Sequence, residues 1–440
     1  MARRLVAATA RSWGIGANRA QFLHQLLQVL LVGLALGMMR NVVPALAEAE
    51  FGVPRRSFLL LVAFVVAFGV VKGAMNFVAG RLAEGWGRRR VLLLGWAVAL
   101  PIPLMVHQAP SWAWVVAATV LLGVNQGLTW SMTQTAQLDL TRADQRGLVL
   151  GLNEFAGYVG VALAAVATGH LAHALGPRDG LLCFGSIVIG LATLQAALAV
   201  QETLPWAREA PQAGSGAPPC GSDPTGSRAP SPATADGRLS TREVFALMSW
   251  RDRRLAALCQ AGLVEKFVDA LVWVFWPVYL HQRGVDLPGM GWIVGVYGLS
   301  WGTAQLLTGR LSDHLGRHRL NVGGMWLCGA GVALLPLGEG ATWWSLSAGL
   351  TGLGMALLYP NLSAAVADIA APSWRASAIG IYRFWRDLGY AVGALGLGAS
   401  AALGGSIEHA FWFVSVAMLA SGAVLLAWGE ETHPRLREAG

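Results

Sequence analysis

Gly80–Arg90 reads GRLAEGWGRRR, and Gly309–Arg319 reads GRLSDHLGRHR. The two stretches stand 229 residues apart, and the same spacing recurs on both sides of them. Trp114 matches Trp343, Asp139 matches Asp368, Arg146 matches Arg375, and Gly151 matches Gly380. Phe155 and Phe384 follow, then Gly160 and Gly389. So many distinctive coincidences in one ungapped register mark an internal duplication. The apolar stretches near 22–46 and 255–281 align less cleanly with each other, and two registers about one helical turn apart fit them.

The duplication lies in a chain of 440 residues that is 55% hydrophobic and 13% charged. Soluble domains carry about 25% charged residues. Twelve apolar stretches can be marked, near 22–46, 57–79, 91–107, 113–138, 147–174, 180–200, 255–281, 289–308, 320–337, 343–367, 376–402 and 409–428. Each is long enough, or nearly so, to cross a bilayer as a helix, which satisfies its own backbone in lipid. The expected fold class is an all-α integral membrane protein. It has 12 transmembrane helices in two pseudo-symmetric six-helix bundles, related by an axis along the membrane normal.

The net charge is +8, with a pI near 9.8. In a membrane chain this reads as positive-inside bias, so no nucleic-acid partner is expected. Arg3, Arg4, Arg11 and Arg19 lie at the N-terminus, Arg81, Arg88, Arg89 and Arg90 after stretch two, and Arg310, Arg317 and Arg319 after stretch eight. The opposite loops hold only Arg55, Arg56, Arg178 and Arg283. Both termini should therefore be cytoplasmic, in a multi-pass protein of the cell (plasma or inner) membrane. Trp112, Trp114, Trp343 and Trp344 sit where outer-interface anchors belong. MARRLVAATARS has too short an apolar run for a cleavable signal peptide. The four cysteines are scattered and show neither a disulfide framework nor metal spacing.

Residues 201–240 hold 7 of the 19 prolines with much Gly and Ser, and read as a disordered linker. EVFALMSWRDRRLAAL follows, amphipathic and basic, and should lie on the membrane surface. The expected organisation is an N-terminal bundle over 1–200, a cytoplasmic linker with an amphipathic helix over 201–254, and a C-terminal bundle over 255–440.

On the residues Gly80, Glu84, Gly87 and Arg88, and again Gly309, Asp313, Gly316 and Arg317, the chain resembles the major facilitator superfamily (MFS) of secondary transporters. Its loop signature is G-x-x-x-D-x-x-G-R-[RK], and Glu84 stands where Asp is usual. The resemblance implies that Glu84 and Asp313 latch the cytoplasmic side by capping helices that begin near Arg375 and Arg146. Arg88 and Arg317 could pair with Asp139 and Asp368, or simply mark the cytoplasmic face. In many proton-driven antiporters of the family an Arg precedes a Gln-Gly pair in span four. Here Gln126-Gly127 is present but Gly123 takes the Arg place, and span five lacks the antiporter Gly-Pro. Drug:proton antiport is therefore not carried over.

A charge inside a span is costly, so each one is a functional candidate. They are Arg40, Lys72, Glu154, Glu265, Lys266, Asp269, Arg383, Arg386 and Asp387, five bases and four acids. Glu154 and Arg383 are duplicates at the common offset. A proton site needs a buried carboxyl; Glu154, Glu265 and Asp269 qualify, with Asp269 favoured. An anion needs a fixed cation, and Arg40 and Arg383 offer a planar fork. Lys72 is either a pairing partner or a second cation. Structural salt bridging is the alternative for every one of the nine. Asn125, Gln126, Trp130, Trp273, Trp276, Tyr359, Asn361 and Tyr382 complete a polar and aromatic cavity. His170 and His173 are too few for a metal site.

The expected function is secondary active transport of a small polar organic solute, anionic or zwitterionic. It proceeds by alternating access with protons as partner, and export is preferred to import. The alternatives are a lipid or hydrophobic-drug exporter, or a non-transporting membrane sensor. No nucleophile elbow, metal cluster or phosphate loop is present, so neither an enzyme nor a cofactor is expected. The partners expected are the substrate, protons and the lipid bilayer, with the protein a monomer.

Overall fold

A computed structural model describes residues 12–40, 42–45, 47–54, 57–142, 145–209, 240–370 and 374–432. Among these, regular structure is helical throughout. Twelve long helices run in chain order. The first six are α1 (Arg19–Gly37), α2 (Phe58–Trp86), α3 (Arg88–Ala99), α4 (Trp112–Leu140), α5 (Arg146–Leu175) and α6 (Pro177–Leu198). The second six are α7 (Arg253–Gln282), α8 (Leu287–Leu315), α9 (Arg317–Leu334), α10 (Ala341–Ile369), α11 (Arg375–Gly404) and α12 (Glu408–Trp428). Pro101 lacks an N–H and breaks α3, which resumes as Ile102–His107.

Among the described residues, nine helical spans are long and apolar enough to cross a membrane on composition alone. The exceptions are α7, α8 and α11, and α7 and α11 carry six of the nine interior charges. The duplication survives as packing. Within each half, α1 lies on α5, and α7 on α11. Between halves, α2 packs on α11, and α5 on α8. Small residues set these approaches: a Cβ on Gly69 would lie 2.7 Å from the Ala391 nitrogen, and one on Gly298 3.0 Å from the Ala162 Cβ.

The open register of the first and seventh stretches is now set. Gly160 presses on the Leu30 carbonyl, and its duplicate Gly389 on the Leu263 carbonyl. Leu30 and Leu263 stand 233 apart, one helical turn more than the 229 of the other helices.

Of the expected linker, residues 210–239 lie outside the described residues. On either side of them the chain forms the short helices Leu204–Glu209 and Thr241–Ala246, the latter leading through a π turn into α7.

Candidate functional site between the two halves

The signature turns lie at one face of the bundle. Gly87 and Gly316 adopt φ of 90° and 86°, a left-handed conformation that favours glycine. Each turn delivers the N-terminus of the next helix to a carboxylate. The Arg88 N–H donates to Glu202 Oε1 at 2.8 Å and the Arg89 N–H to Oε2 at 3.1 Å. The Arg317 and His318 N–H groups donate to the two oxygens of Glu431 at 3.0 and 3.1 Å. Both carboxylates thus cap free N–H groups and the positive end of a helix dipole. Glu202 and Glu431 are themselves duplicates at the common offset, within QETLP and EETHP.

Beside each cap is an ion pair, Arg88 Nε–Asp139 Oδ2 at 2.9 Å and Arg317 Nη1–Asp368 Oδ2 at 2.6 Å. Each pair stays within one half. The side chains of Glu84, Arg146, Asp313 and Arg375, on which the cross-half latch depends, lie outside the described residues. Glu202→Ala should speed amide exchange at Arg88 and Arg89 at least about tenfold, since hydrogen bonds to a charged group contribute about 1.5–3 kcal/mol. Hydrogen-exchange mass spectrometry reads this directly, and unchanged protection would remove Glu202 as the cap.

At the centre, Asp269 accepts four hydrogen bonds. Arg40 Nη1 and the Tyr297 hydroxyl donate to Oδ1, each at 3.2 Å. Lys266 Nζ and the Tyr390 hydroxyl donate to Oδ2, each at 2.9 Å. Arg40 follows α1, whereas the other three donors come from α7, α8 and α11, so this hub ties the halves together. Trp273 adds to the tie: its Nε1 donates to the Met39 carbonyl at 3.0 Å, and its ring lies 4.9 Å from the Arg40 guanidinium. Phe64 and Phe68 meet Trp273 edge-on, on the side away from the signature turns.

Glu265, four residues before Asp269, is in the opposite condition. It is 0% exposed, and neither carboxyl oxygen has a hydrogen-bond partner. Its nearest cation is Lys266 Nζ, at 3.9 Å. One turn of one helix therefore holds a saturated carboxylate and a bare carboxyl, with Lys266 between them.

Towards the signature face, Lys72, Asn76, Trp130, Glu154, Arg383 and Arg386 line a cavity, together with Leu36, Ser131, Tyr158, Tyr359, Asp387 and Tyr390. The space is about 10 Å³, room for about one water. Asp387 is satisfied by Arg386 Nε at 3.0 Å and by the Asn76 amide. Glu154 Oε1 accepts from Trp130 Nε1 at 3.2 Å, while Oε2 has no partner. Glu154 and Arg383 share the cavity wall but form no ion pair within 4.0 Å; Arg383 donates instead to the Gln134 amide oxygen. Lys72 Nζ has neither ion pair nor hydrogen bond among the described residues. It lies 5.2–5.6 Å from the rings of Phe68, Trp130 and Tyr390.

Some sequence candidates are placed elsewhere. Asn125 donates to the Gly95 carbonyl at 2.9 Å, and Gln126 to the Val32 carbonyl at 3.1 Å. These amides fasten α4 to α3 and α1 and do not line the cavity. Tyr382 packs on Gly262 of α7, also outside the lining. Sequence reasoning missed Tyr158, Tyr297, Trp301 and Tyr390. Tyr158 stacks on Trp301 with centroids 3.5 Å apart, and Tyr390 continues the α11 face of Arg383 and Arg386. The available signal was scarcity: the chain has six tyrosines, and four meet here.

Comparison with known proteins adds the following. A family model described as Major Facilitator Superfamily matches residues 26–265 and 258–439. Multidrug resistance protein MdtH of Aeromonas hydrophila is 36% identical over 113 residues, 24% of this chain and 28% of that protein. The 3-(3-hydroxy-phenyl)propionate transporter of Escherichia coli is 28% identical over 197 residues, 43% of this chain and 42% of that protein. The chain thus aligns with less than half the length of these relatives. Among solved structures, the human organic anion transporter MFSD10 matches at TM-score 0.65 and 20% identity, over 93% of this chain and 99% of that one. The nucleoside transporter NupG matches at 0.73 and 14%, over 93% and 100%. At such identities these structures speak for the fold alone.

Proposed function

This chain belongs to the Major Facilitator Superfamily, a family of multi-pass membrane secondary transporters, and from that premise we propose that it moves a small organic monoanion by alternating access, with a proton carried on Glu265. The observation that carries the reading is the pair Lys72 and Arg383. They stand on opposite halves, both line the cavity, and neither has a carboxylate partner among the described residues. A carboxylate between them would supply the missing counter-charge and draw the halves together. With Glu265 ionised, the nine interior charges sum to one positive, which a monoanion cancels. One similar protein, the 3-(3-hydroxy-phenyl)propionate transporter of Escherichia coli, is named for an organic anion of this kind. A lipid or hydrophobic-drug cargo is a poorer match to a wall carrying five charges.

The proton role follows from hydrogen bonding. Asp269 cannot take up a proton without giving up donors, whereas Glu265 can gain or lose one without breaking any hydrogen bond. Lys266, 2.9 Å from Asp269 and 3.9 Å from Glu265, can shift between them. The arginine-rich signature turns are assigned to the cytoplasmic side, with Glu84 and Asp313 as latches there.

The test is a thermal-shift panel of purified protein with monocarboxylates and their neutral amides. Carboxylates should stabilise the wild type and amides should not. Lys72→Met should weaken the carboxylate at least about tenfold, the loss of one charged hydrogen bond. Equal stabilisation by the amides would refute an anionic substrate.

A further inference from the structure

Immediately before α7, residues 240–253 form a short bent strap. Ser240 and Glu243 close a capping box: the Ser240 N–H donates to Glu243 Oε2 at 2.8 Å and the Glu243 N–H to Ser240 Oγ at 3.3 Å. Leu247–Arg251 widen into a π turn, with Met248 buried and Trp250 exposed. Asp252 then caps α7, accepting from the Arg254 and Leu255 N–H groups at 2.9 and 3.3 Å. The Arg254 side chain bonds the same carboxyl, and holds it below the usual carboxylate range, so the cap stays ionised near neutral pH.

The arginines of the strap and of its junction with α7 fall into two kinds. Arg254 is neutralised by Asp252 at 2.8 Å and by Glu430 at 2.6 Å. Arg242, Arg251 and Arg253 are exposed and have no ion pair among the described residues. Trp250, next to Arg251, is 63% exposed. The other side of the strap grips α11. Ser249 Oγ accepts from Trp385 Nε1 at 3.0 Å, and the Phe245 ring lies 6.0 Å from that of Trp385. Trp385 stands between Arg383 and Arg386, on the helix that carries three of the five cavity charges.

We infer that this strap binds the phosphate headgroups of anionic phospholipids, and that its occupancy sets the position of α11. Three unpaired guanidinium forks suit phosphate oxygens. A basic amphipathic segment at a helix entry is the arrangement that anionic leaflets attract. Trp250 favours a bilayer over an acidic protein segment, because an indole settles at the headgroup level. A headgroup pulling on the strap acts on α11 through the Ser249–Trp385 bond and the ring contact, next to Arg386 and two residues from Arg383.

The test uses full-length protein in nanodiscs of phosphatidylcholine, with or without phosphatidylglycerol, and needs no substrate. Headgroup-labelled phosphatidylglycerol should bind the Arg242→Gln/Arg251→Gln/Arg253→Gln variant about a hundredfold more weakly than the wild type. Spin labels at Arg90→Cys on α3 and Ser377→Cys on α11, in a cysteine-free background, should show a shifted inter-half distance when phosphatidylglycerol is added. Trp385→Ala, which removes both the hydrogen bond and the ring contact, should keep the lipid affinity and lose the shift. If the triple variant melts early in phosphatidylcholine, Arg251→Gln alone carries the comparison, with about a fivefold loss. Undiminished lipid affinity in the arginine variants would overturn the site. A wild-type distance indifferent to the lipid would overturn the link to α11.

Discussion

Glu265→Gln is expected to abolish proton-driven accumulation of substrate while leaving substrate exchange across the membrane intact. Gln preserves the size of the side chain, and Glu265 has no hydrogen bond to lose. The substitution removes only the capacity to carry a proton, and with it the chance to draw Lys266 from Asp269. Counterflow measured without a pH gradient should therefore persist, and uptake or efflux driven by a gradient should vanish. Loss of both would make Glu265 a structural residue. Persistence of both would place the proton elsewhere, with Glu154 the next candidate because its Oε2 is also unpartnered.

The second large effect concerns stability. Asp269→Asn removes the counter-charge of two buried cations, Arg40 and Lys266. Breaking a buried pair by deleting one partner costs about 3–5 kcal/mol. Arg40→Met should cost less, since Lys266, Tyr297 and Tyr390 still hold the Asp269 carboxylate. Unfolding in detergent, followed by denaturant or heat, should rank the two variants in that order. The reverse order would mean that Arg40, rather than Asp269, is the hub. Because Arg40 bridges to the other half, both variants should also loosen the packing around Trp273.

The fold was legible because its two signals are written along the chain. Apolar stretches of membrane-crossing length need no partner to be recognised, and the 229-residue spacing is a property of the sequence itself. The site was legible only in part, because it depends on which face each helix turns inward. In helices that are apolar all round, composition hardly distinguishes those faces. Asn125 and Gln126 look like cavity residues by chemistry, yet their amides bond the carbonyls of neighbouring helices. Asp269 and Glu265 are indistinguishable as carboxyls four apart on one helix. Only the donors arriving from Arg40, Tyr297 and Tyr390 separate them, and those come from three other segments. Glu202 and Glu431 were hidden for the same reason, since capping joins residues more than a hundred positions apart.

The central claim, that an organic monoanion crosses between the halves with a proton, is tested most directly by flux. Purified protein in liposomes would be given a radiolabelled monocarboxylate from the thermal-shift panel and an imposed pH gradient. Accumulation above the equilibrium level is predicted, collapsing when an ionophore removes the gradient and absent in Lys72→Met. Equal movement of the neutral amide, or accumulation indifferent to the gradient, would contradict it.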